Sequence, residues 1–201
     1  MQKFAKPLVF AASLAPALHL VYLGFTNGLG VNPAETLQLD TGVWALRFLV
    51  ITLAITPVRR VTGWNRVIQY RRLFGLFAFF YAFGHFLTYL VLDLSLAFGE
   101  FFADVVKRPF ITMGMIAFAS MIPLALTSTR GWIRRLGKRW VSLHRLVYLS
   151  GITAAIHYLW KVKIMVGPPV YYAVGIAVLL GFRLVWQMRS AKTVRPQRAG
   201  A

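Results

Sequence analysis

Six long apolar stretches constrain the fold of this 201-residue chain more than any other feature of its sequence. A membrane-spanning helix needs about 20 mainly apolar residues to cross roughly 30 Å of hydrocarbon. The stretches that reach or approach this length are residues 8–25, 41–58, 73–92, 110–126, 141–160 and 168–186. Charged residues make up only 14% of the chain, against about 25% in soluble domains. We therefore predict an all-α polytopic membrane protein, a bundle of six transmembrane helices over residues 1–188 followed by a basic tail over residues 189–201.

Positive charge is concentrated on one side of the predicted bundle. Of the 23 Lys and Arg residues, 16 lie in the N-terminal segment, the second and fourth loops and the tail, whereas the other three loops hold four. Because Lys and Arg mark cytoplasmic loops, we predict that both termini are cytoplasmic. The same distribution argues against nucleic-acid binding, since no folded basic domain is predicted outside the membrane.

All four histidines fall inside predicted spans, at His19, His85, His144 and His157. Ionisable groups at membrane depth are costly, so each is a candidate functional residue. The chain has no cysteine, and its five carboxylates lie in the outer loops or at their edges. Zinc would need three or four converging ligands, whereas haem iron needs only one or two axial imidazoles. The composition therefore favours haem over zinc or a carboxylate-coupled proton relay.

The depths of the histidines in the membrane indicate which of them would hold the haem. At 1.5 Å of rise per residue, His85 lies ~18 Å, His157 ~24 Å and His144 ~4.5 Å from the inner end of its span. We predict a haem held by His85 and His157 between spans three and five, in the outer half of the membrane. His144 would then lie near the cytoplasmic face. On an ideal helix the rings of His144 and His157 point ~140° apart, so aiming both at one neighbour requires an irregularity, which we place near Gly151 or Thr153.

Other polar residues inside the spans are weaker candidates. Arg145 follows His144 and is a candidate partner for a haem propionate or a flavin phosphate. The alternative for Arg145, and for Arg47 and Arg183, is that the side chain extends to the lipid headgroups. His19 has no evident partner and is interpreted as structural.

Motif searches give little further information. The sequence contains neither GxGxxG followed by an acidic residue nor GxxxxGK[ST], so no nucleotide site is predicted. We find no internal repeat. Gly75 and Gly84 on span three would let a planar ring approach the helix backbone.

Several uncommon motifs occur in the order in which a known family carries them. They are Thr41-Gly42, Ala45-Leu46-Arg47-Phe48-Leu49, Ile55-Thr56-Pro57, Arg71-Arg72-Leu73-Phe74-Gly75-Leu76, Arg108-Pro109-Phe110, Leu126-Thr127-Ser128-Thr129, Leu136-Gly137-Lys138-Arg139-Trp140, Leu143-His144, Tyr148-Leu149 and Ile156-His157-Tyr158-Leu159-Trp160. Between residues 41 and 169 the chain resembles the MsrQ/YedZ family, part of the ferric-reductase-like transmembrane superfamily.

The resemblance implies a haem-binding membrane subunit of a bacterial periplasmic methionine sulfoxide reductase system. Its implied cofactors are haem b and FMN, and the implied haem ligands are His85, His144 and His157. Electrons would come from the quinone pool or a cytosolic flavin reductase and pass to a periplasmic molybdopterin-containing reductase subunit. The chain would then be a non-catalytic redox subunit. The wider superfamily tends to carry two histidines on each of spans three and five, whereas span three here carries one.

Three other functions stay open on the sequence alone. One is a stand-alone cytochrome b-type ferric or quinone reductase, which a neighbouring gene for a molybdopterin protein would disfavour. Another is a small transporter gated by intramembrane histidine, which would show no visible absorbance. The third is a structural membrane anchor, which would tolerate loss of both His85 and His157.

Overall fold

The computed structural model describes residues 2–163 and 166–194, and within these ranges the chain is helical and has no strand. The helices are α1 (Gln2–Phe25), α2 (Pro33–Thr62), α3 (Arg71–Thr88), α4 (Phe98–Lys107), α5 (Pro109–Leu126), α6 (Arg130–Leu136), α7 (Lys138–Leu143), α8 (Leu146–Val162) and α9 (Pro168–Val194). A 3₁₀ helix, Asn65–Tyr70, leads into α3, and a π-helix, Tyr89–Asp93, continues it. The predicted all-α class is confirmed for the described residues.

Five helical segments are long and apolar enough to cross a membrane. They are Ala5–Phe25, Pro33–Thr62, Asn65–Asp93, Pro109–Leu126 and Pro168–Arg189. Each coincides with one of the predicted spans. The sixth predicted span, residues 141–160, is not one continuous helix, because α7 ends at Leu143 and the 17-residue α8 begins at Leu146. A bundle of six spans and the cytoplasmic position of both termini therefore stay predictions.

The predicted basic tail begins inside a helix. The last helix, α9, continues beyond the predicted span to Val194. The rest of the tail, residues 195–201, lies outside the described residues. The division between residues 1–188 and 189–201 stays a prediction.

Helix starts follow local sequence. The side chain of Asn32 accepts a hydrogen bond from the Glu35 N–H at 3.2 Å, and Pro33 occupies the first position of α2. A proline suits this position because the first N–H groups of a helix have no intrahelical acceptor. Pro168 begins α9 in the same way. Gly63 ends α2 with a φ of 70°, a left-handed conformation that glycine adopts without strain.

The bundle is organised around two antiparallel helix pairs, α2 with α3 and α5 with α8. Helix α1 packs on α2 and α3, and α9 packs on α8 and α2. In the α2–α3 pair, the Phe48 ring stacks on that of Tyr81 with centroids 5.4 Å apart. In the α5–α8 pair, the buried hydroxyls of Ser120 and Ser150 are hydrogen-bonded at 2.7 Å. We call the end of the bundle that carries Arg71 the inner end, and the opposite end the outer end.

Helix α1 is fastened to α3 by one buried tyrosine. The Tyr81 hydroxyl donates to the Ser13 carbonyl at 2.9 Å and accepts from the Ala17 N–H at 3.0 Å. Residues 13 and 17 would normally bond each other in a helix, so the hydroxyl is inserted into the ladder of α1. The insertion lies beside Pro16, which has no N–H to donate.

Candidate functional site

The two helix pairs enclose a cavity of about 180 Å³, which we call the outer cavity. His85 on α3 and His157 on α8 both line it. Their ring centroids are 6.0 Å apart and their planes are inclined by 78°. The two histidines that depth alone predicted to be partners are thus brought together by the fold.

Each of the two imidazoles is held by a backbone carbonyl. The Nδ1 of His85 donates to the Gln38 carbonyl at 2.8 Å, and the Nδ1 of His157 donates to the Phe110 carbonyl at 2.6 Å. Because a carbonyl only accepts, the proton is on Nδ1 and the Nε2 lone pair is free. Metal-binding histidines are commonly oriented in this way by an outer partner. Both rings can therefore act as Nε2 ligands.

The separation of the two rings matches what a single metal ion bound between them requires. Imidazole nitrogens bind first-row metals at about 2.0–2.1 Å, and the ring centre lies about 1 Å behind the nitrogen. Two rings on opposite sides of one ion therefore have centroids about 6 Å apart, close to the observed 6.0 Å. Apolar side chains such as Leu46, Phe118 and Met121 line the rest of the cavity. His85 and His157 would be the residues that hold a planar, largely apolar metal complex in this cavity.

The outer cavity is built from two equivalent halves. The bond from His85 to Gln38 and the bond from His157 to Phe110 each span 47 residues, and the two sets of residues are 72 positions apart. Of the 24 residues lining the cavity, 22 form pairs with this same offset. The pairs are Gln38 and Phe110, Leu39 and Ile111, Gly42 and Gly114, Val43 and Met115, Ala45 and Ala117, Leu46 and Phe118, Leu49 and Met121, Ala82 and Ala154, His85 and His157, Phe86 and Tyr158, and Tyr89 and Lys161. The expectation that the chain has no internal repeat is wrong.

Charged side chains at the outer cavity were not singled out from the sequence. Arg108 and Lys161 both line it, together with Asp93. Arg108 also pairs with Asp104, with Nε and Oδ1 3.2 Å apart. Two cations at the margin of an apolar cavity suit a ligand that carries carboxylates. The signal that could have identified Lys161 is its position one helical turn after His157.

A second, smaller cavity of about 80 Å³ lies toward the inner end and is called the inner pocket here. His144 lines it, together with Arg71, Arg72 and Trp140. The His144 ring stacks on Trp140 with centroids 3.8 Å apart, and its Nδ1 donates to the Trp140 carbonyl at 3.1 Å. The buried Nε2 of His144 has no hydrogen-bond partner among the described residues. This nitrogen is also available as a ligand.

The irregularity that separates His144 from His157 lies elsewhere than predicted. Gly151 and Thr153 are both within the continuous helix α8. The chain instead turns at His144 and Arg145, between α7 and α8. His144 is therefore positioned by this turn and by Trp140 rather than by the helix that carries His157.

The remaining candidates lie away from the outer cavity. Arg145 and His19 are exposed, and neither is among the described residues that line the two cavities. Gly75 lines the inner pocket. Gly84 lines neither of the two cavities, and a Cβ there would meet only the Thr41 side chain, at 3.9 Å. The cavities therefore give no support to the predicted approach of a planar ring at Gly84.

The guanidinium of Arg183 is turned into the bundle and does not extend to the lipid headgroups. It is 6% exposed, and it donates to the Leu53 carbonyl at 2.6 Å and to the Tyr148 hydroxyl at 3.2 Å. Its Nε has no partner among the described residues. The interpretation that Arg183 extends to the headgroups is wrong, whereas the exposed Arg47 remains compatible with it.

Comparison with known proteins agrees with this architecture. The family model described as the ferric reductase like transmembrane component matches residues 41–155, which hold α3 and α5 and the greater part of α2 and α8. The chain belongs to this family. It is 47% identical to the "Protein-methionine-sulfoxide reductase heme-binding subunit MsrQ" of Xanthomonas euvesicatoria pv. vesicatoria, over 97% of the chain and 92% of that protein. A protein of the same name from Brucella ovis is 49% identical over 88% of the chain and 80% of its own length.

The resemblance to the MsrQ/YedZ family, which the sequence motifs indicated, is confirmed by these relatives. No solved structure matches the chain.

Proposed function

We propose that the chain is the haem-binding membrane subunit of a bacterial methionine sulfoxide reductase system. One observation carries the proposal. His85 and His157, from different helix pairs, present free Nε2 atoms to one apolar cavity with ring centroids 6.0 Å apart. The printed names of the relatives, which describe heme-binding subunits of this reductase, support it.

The donor set of the chain fits haem b. A chain without cysteine cannot attach haem covalently through thioethers, so the porphyrin would be held by axial ligands and packing. His85 and His157 would hold one haem in the outer cavity. The partnerless Nε2 of His144 would hold a second in the inner pocket, beside Arg71 and Arg72. Bound haem supplies reversible one-electron chemistry at the iron.

The residues of the chain would orient the ligands and exclude water. The carbonyls of Gln38 and Phe110 keep the protons on Nδ1, so that Nε2 stays an electron-pair donor. The apolar walls of the outer cavity would give a bound iron surroundings of low dielectric. Arg108 and Lys161 would neutralise propionates. Leu146, which directly follows the turn that carries His144, lies ~16 Å along α8 from His157, so the two sites would form a path across the membrane.

The donor and the acceptor follow from the proposed orientation. We place the inner end on the cytoplasmic side of a bacterial inner membrane, where the quinone pool or a cytosolic flavin reductase would deliver electrons. FMN would bind there too, because the arginines at this end suit its phosphate. The acceptor at the outer end would be a periplasmic molybdopterin-containing subunit that reduces methionine sulfoxide.

An absorption spectrum tests the haem assignment. Protein purified from haem-replete cells should show the Soret band and the reduced α-band of low-spin haem b. His157→Ala should lose most of the outer-cavity haem, because one axial ligand is removed. His19→Ala is the matched control, since His19 is exposed on α1, and it should retain the wild-type haem-to-protein ratio. A colourless wild-type protein would overturn the proposal.

A reoxidation experiment tests the acceptor. The chemically reduced protein should be reoxidised when the periplasmic molybdopterin subunit and a methionine sulfoxide peptide are added together. Neither component alone should reoxidise it at a comparable rate. Reoxidation by ferric chelates or quinone, with no response to the reductase and its substrate, would instead indicate a stand-alone ferric or quinone reductase.

A further inference from the structure

We infer that Gly42 and Gly114 are positioning residues that seat the two imidazoles of the outer cavity. Each glycine lies on the helix that packs against the histidine-bearing helix, Gly42 on α2 facing His85 and Gly114 on α5 facing His157. The inference rests on the proposed function, since it concerns how the proposed haem ligands are aimed. It adds two residues that act in the site because they have no side chain.

The evidence is the space that a side chain would need. A Cβ on Gly42 would lie 2.9 Å from Nδ1 and 3.0 Å from Cε1 of His85. A Cβ on Gly114 would lie 2.7 Å from Nδ1 and 3.0 Å from Cε1 of His157. Such distances are well inside van der Waals contact, and the neighbour is a stiff ring that its own hydrogen bond holds in place. Any residue other than glycine would displace the imidazole.

The glycine and the carbonyl that holds the ring belong to one unit. Gln38, whose carbonyl accepts from His85, lies one helical turn before Gly42. Phe110, whose carbonyl accepts from His157, lies one helical turn before Gly114. Each helix thus offers a bare backbone surface and an acceptor on the same face, four residues apart. The ring lies against the first and is aligned by the second.

The two seats have the same construction at positions 72 residues apart. Their flanking residues differ, since Thr41 and Val43 border one glycine and Met113 and Met115 border the other. The glycine and the histidine are retained in both halves while these neighbours change. The close contact between each glycine and the imidazole opposite it is common to the two seats.

Other glycines of the same bundle do not show this contact. A Cβ on Gly84, next to His85 in sequence, would meet only the Thr41 side chain, at an ordinary 3.9 Å. A Cβ on Gly175 of α9 would meet nothing within 4 Å. These two positions are therefore matched controls. Alanine in a helix interior is normally favourable relative to glycine, so neither control should lower stability.

The first test measures haem binding in Gly42→Ala and Gly114→Ala beside Gly84→Ala and Gly175→Ala. Displacing an outer partner of a metal ligand commonly weakens metal affinity roughly 10- to 100-fold. We expect the first two variants to lose haem from the outer cavity, or to convert it from low-spin to high-spin iron. The two controls should keep the wild-type spectrum. Low-spin haem at the wild-type level in Gly42→Ala and Gly114→Ala would overturn the inference, as would equal losses in the controls.

The second test does not depend on haem. The thermal unfolding of haem-free protein is measured for Gly42→Ala, for His85→Ala and for the double variant. Gly42→Ala alone should lower the unfolding temperature, whereas the same change in the His85→Ala background should not, because the ring it would strike is gone. Gly114 and His157 should behave in the same way. An equal loss in both backgrounds would overturn the inference.

The two tests separate the inference from the function on which it rests. A wild-type protein without haem would contradict the proposed function while leaving the coupling of glycine and histidine measurable. A wild-type protein with low-spin haem, combined with no coupling between glycine and histidine, would contradict the inference alone.

Discussion

The outer cavity and the inner pocket are bounded by the same two helix pairs, yet they are built on different plans. In the outer cavity, His85 of one pair is matched by His157 of the other, 72 positions later. In the inner pocket, the position equivalent to His144 is Arg72, so an imidazole is matched by a guanidinium. The repeated framework gives identical ligands at one depth and different chemistry at the other. Equivalent helix pairs can therefore enclose two unlike sites at the two ends of the bundle.

The charged residues that line the outer cavity and the inner pocket also differ. Asp93 lines the outer cavity together with Arg108 and Lys161, so charges of both signs meet there. The inner pocket is lined by Arg71 and Arg72 and by no carboxylate among the described residues. Uncompensated positive charge favours the reduced form of a nearby metal.

Removing His144 should affect haem binding in the inner pocket alone. His144→Ala is expected to abolish haem binding in the inner pocket and leave the outer cavity loaded, so about half of the bound haem is lost. A redox titration of the variant should show one component where the wild-type protein shows two. Loss of all haem would contradict the independence of the sites, and loss of none would show that His144 is not a ligand.

Removing the buried charge of Arg183 should act mainly on the inner site. Arg183 lies close enough to Arg71 for the two guanidiniums to repel each other. Arg183→Leu removes a cation from low-dielectric surroundings, so we expect the midpoint potential of the inner haem to fall by tens of millivolts, where roughly 60 mV corresponds to ~1.4 kcal/mol. The outer potential should change much less.

Arg145→Leu is the matched control for Arg183→Leu. Arg145 adjoins His144 in sequence but is exposed, so solvent screens its charge. A shift in Arg145→Leu as large as that in Arg183→Leu would show that the buried guanidinium has no special effect on the inner site.

The attachment of α1 distinguishes the first helix pair from the second. Tyr81→Phe removes the hydroxyl that satisfies both the Ser13 carbonyl and the Ala17 N–H. We expect a loss of about 1–3 kcal/mol in the free energy of unfolding, because buried backbone groups lose their partner. Tyr22→Phe, at an exposed position of α1, is the control and should be neutral. Equal unfolding in detergent for the wild type and Tyr81→Phe would contradict this role.

The hydrogen bond between Ser120 and Ser150 in the α5–α8 pair should contribute least to stability. The position equivalent to Ser150 in the first pair is Ala78, which is fully buried and has no polar group. Ser150→Ala removes the bond to Ser120, and such bonds between membrane helices average about 0.6 kcal/mol. We expect a loss of that order in unfolding free energy and no change in the haem spectrum. A loss above about 2 kcal/mol, or loss of haem, would contradict the equivalence of the two pairs.

The sequence was sufficient to predict much of the fold and the main histidine pair. Apolar length identified five spans, because the membrane imposes a length that few soluble helices share. Helical rise alone predicted that His85 and His157 lie at similar depths, and the structure brings their rings together. Both inferences depend on the thickness of the membrane and the rise per residue of a helix, which contacts between helices do not alter.

Features set by contacts between helices could not be predicted. The interruption at residues 144–145 contains neither glycine nor proline, so no local signal marks it. Arg183 lies in an apolar span, and only the positions of Leu53 and Tyr148 determine that it turns inward. The repeat was missed because few residues are shared between its halves. Two short patterns are shared by the halves: Gly42-x-x-Ala45 with Gly114-x-x-Ala117, and Ala82-x-x-His85-x-Leu87 with Ala154-x-x-His157-x-Leu159.

In the proposed function, His85 and His157, one from each helix pair, would hold one iron together. Electron paramagnetic resonance of the oxidised His144→Ala variant, which should retain only the outer haem, tests it most directly. The planes of His85 and His157 are inclined by 78°, and nearly perpendicular axial imidazoles give a strongly anisotropic low-spin ferric signal. We predict this signal, and its loss when either His85 or His157 is also changed to alanine. If the low-spin signal persists after His85→Ala or after His157→Ala, the two histidines do not hold one iron together.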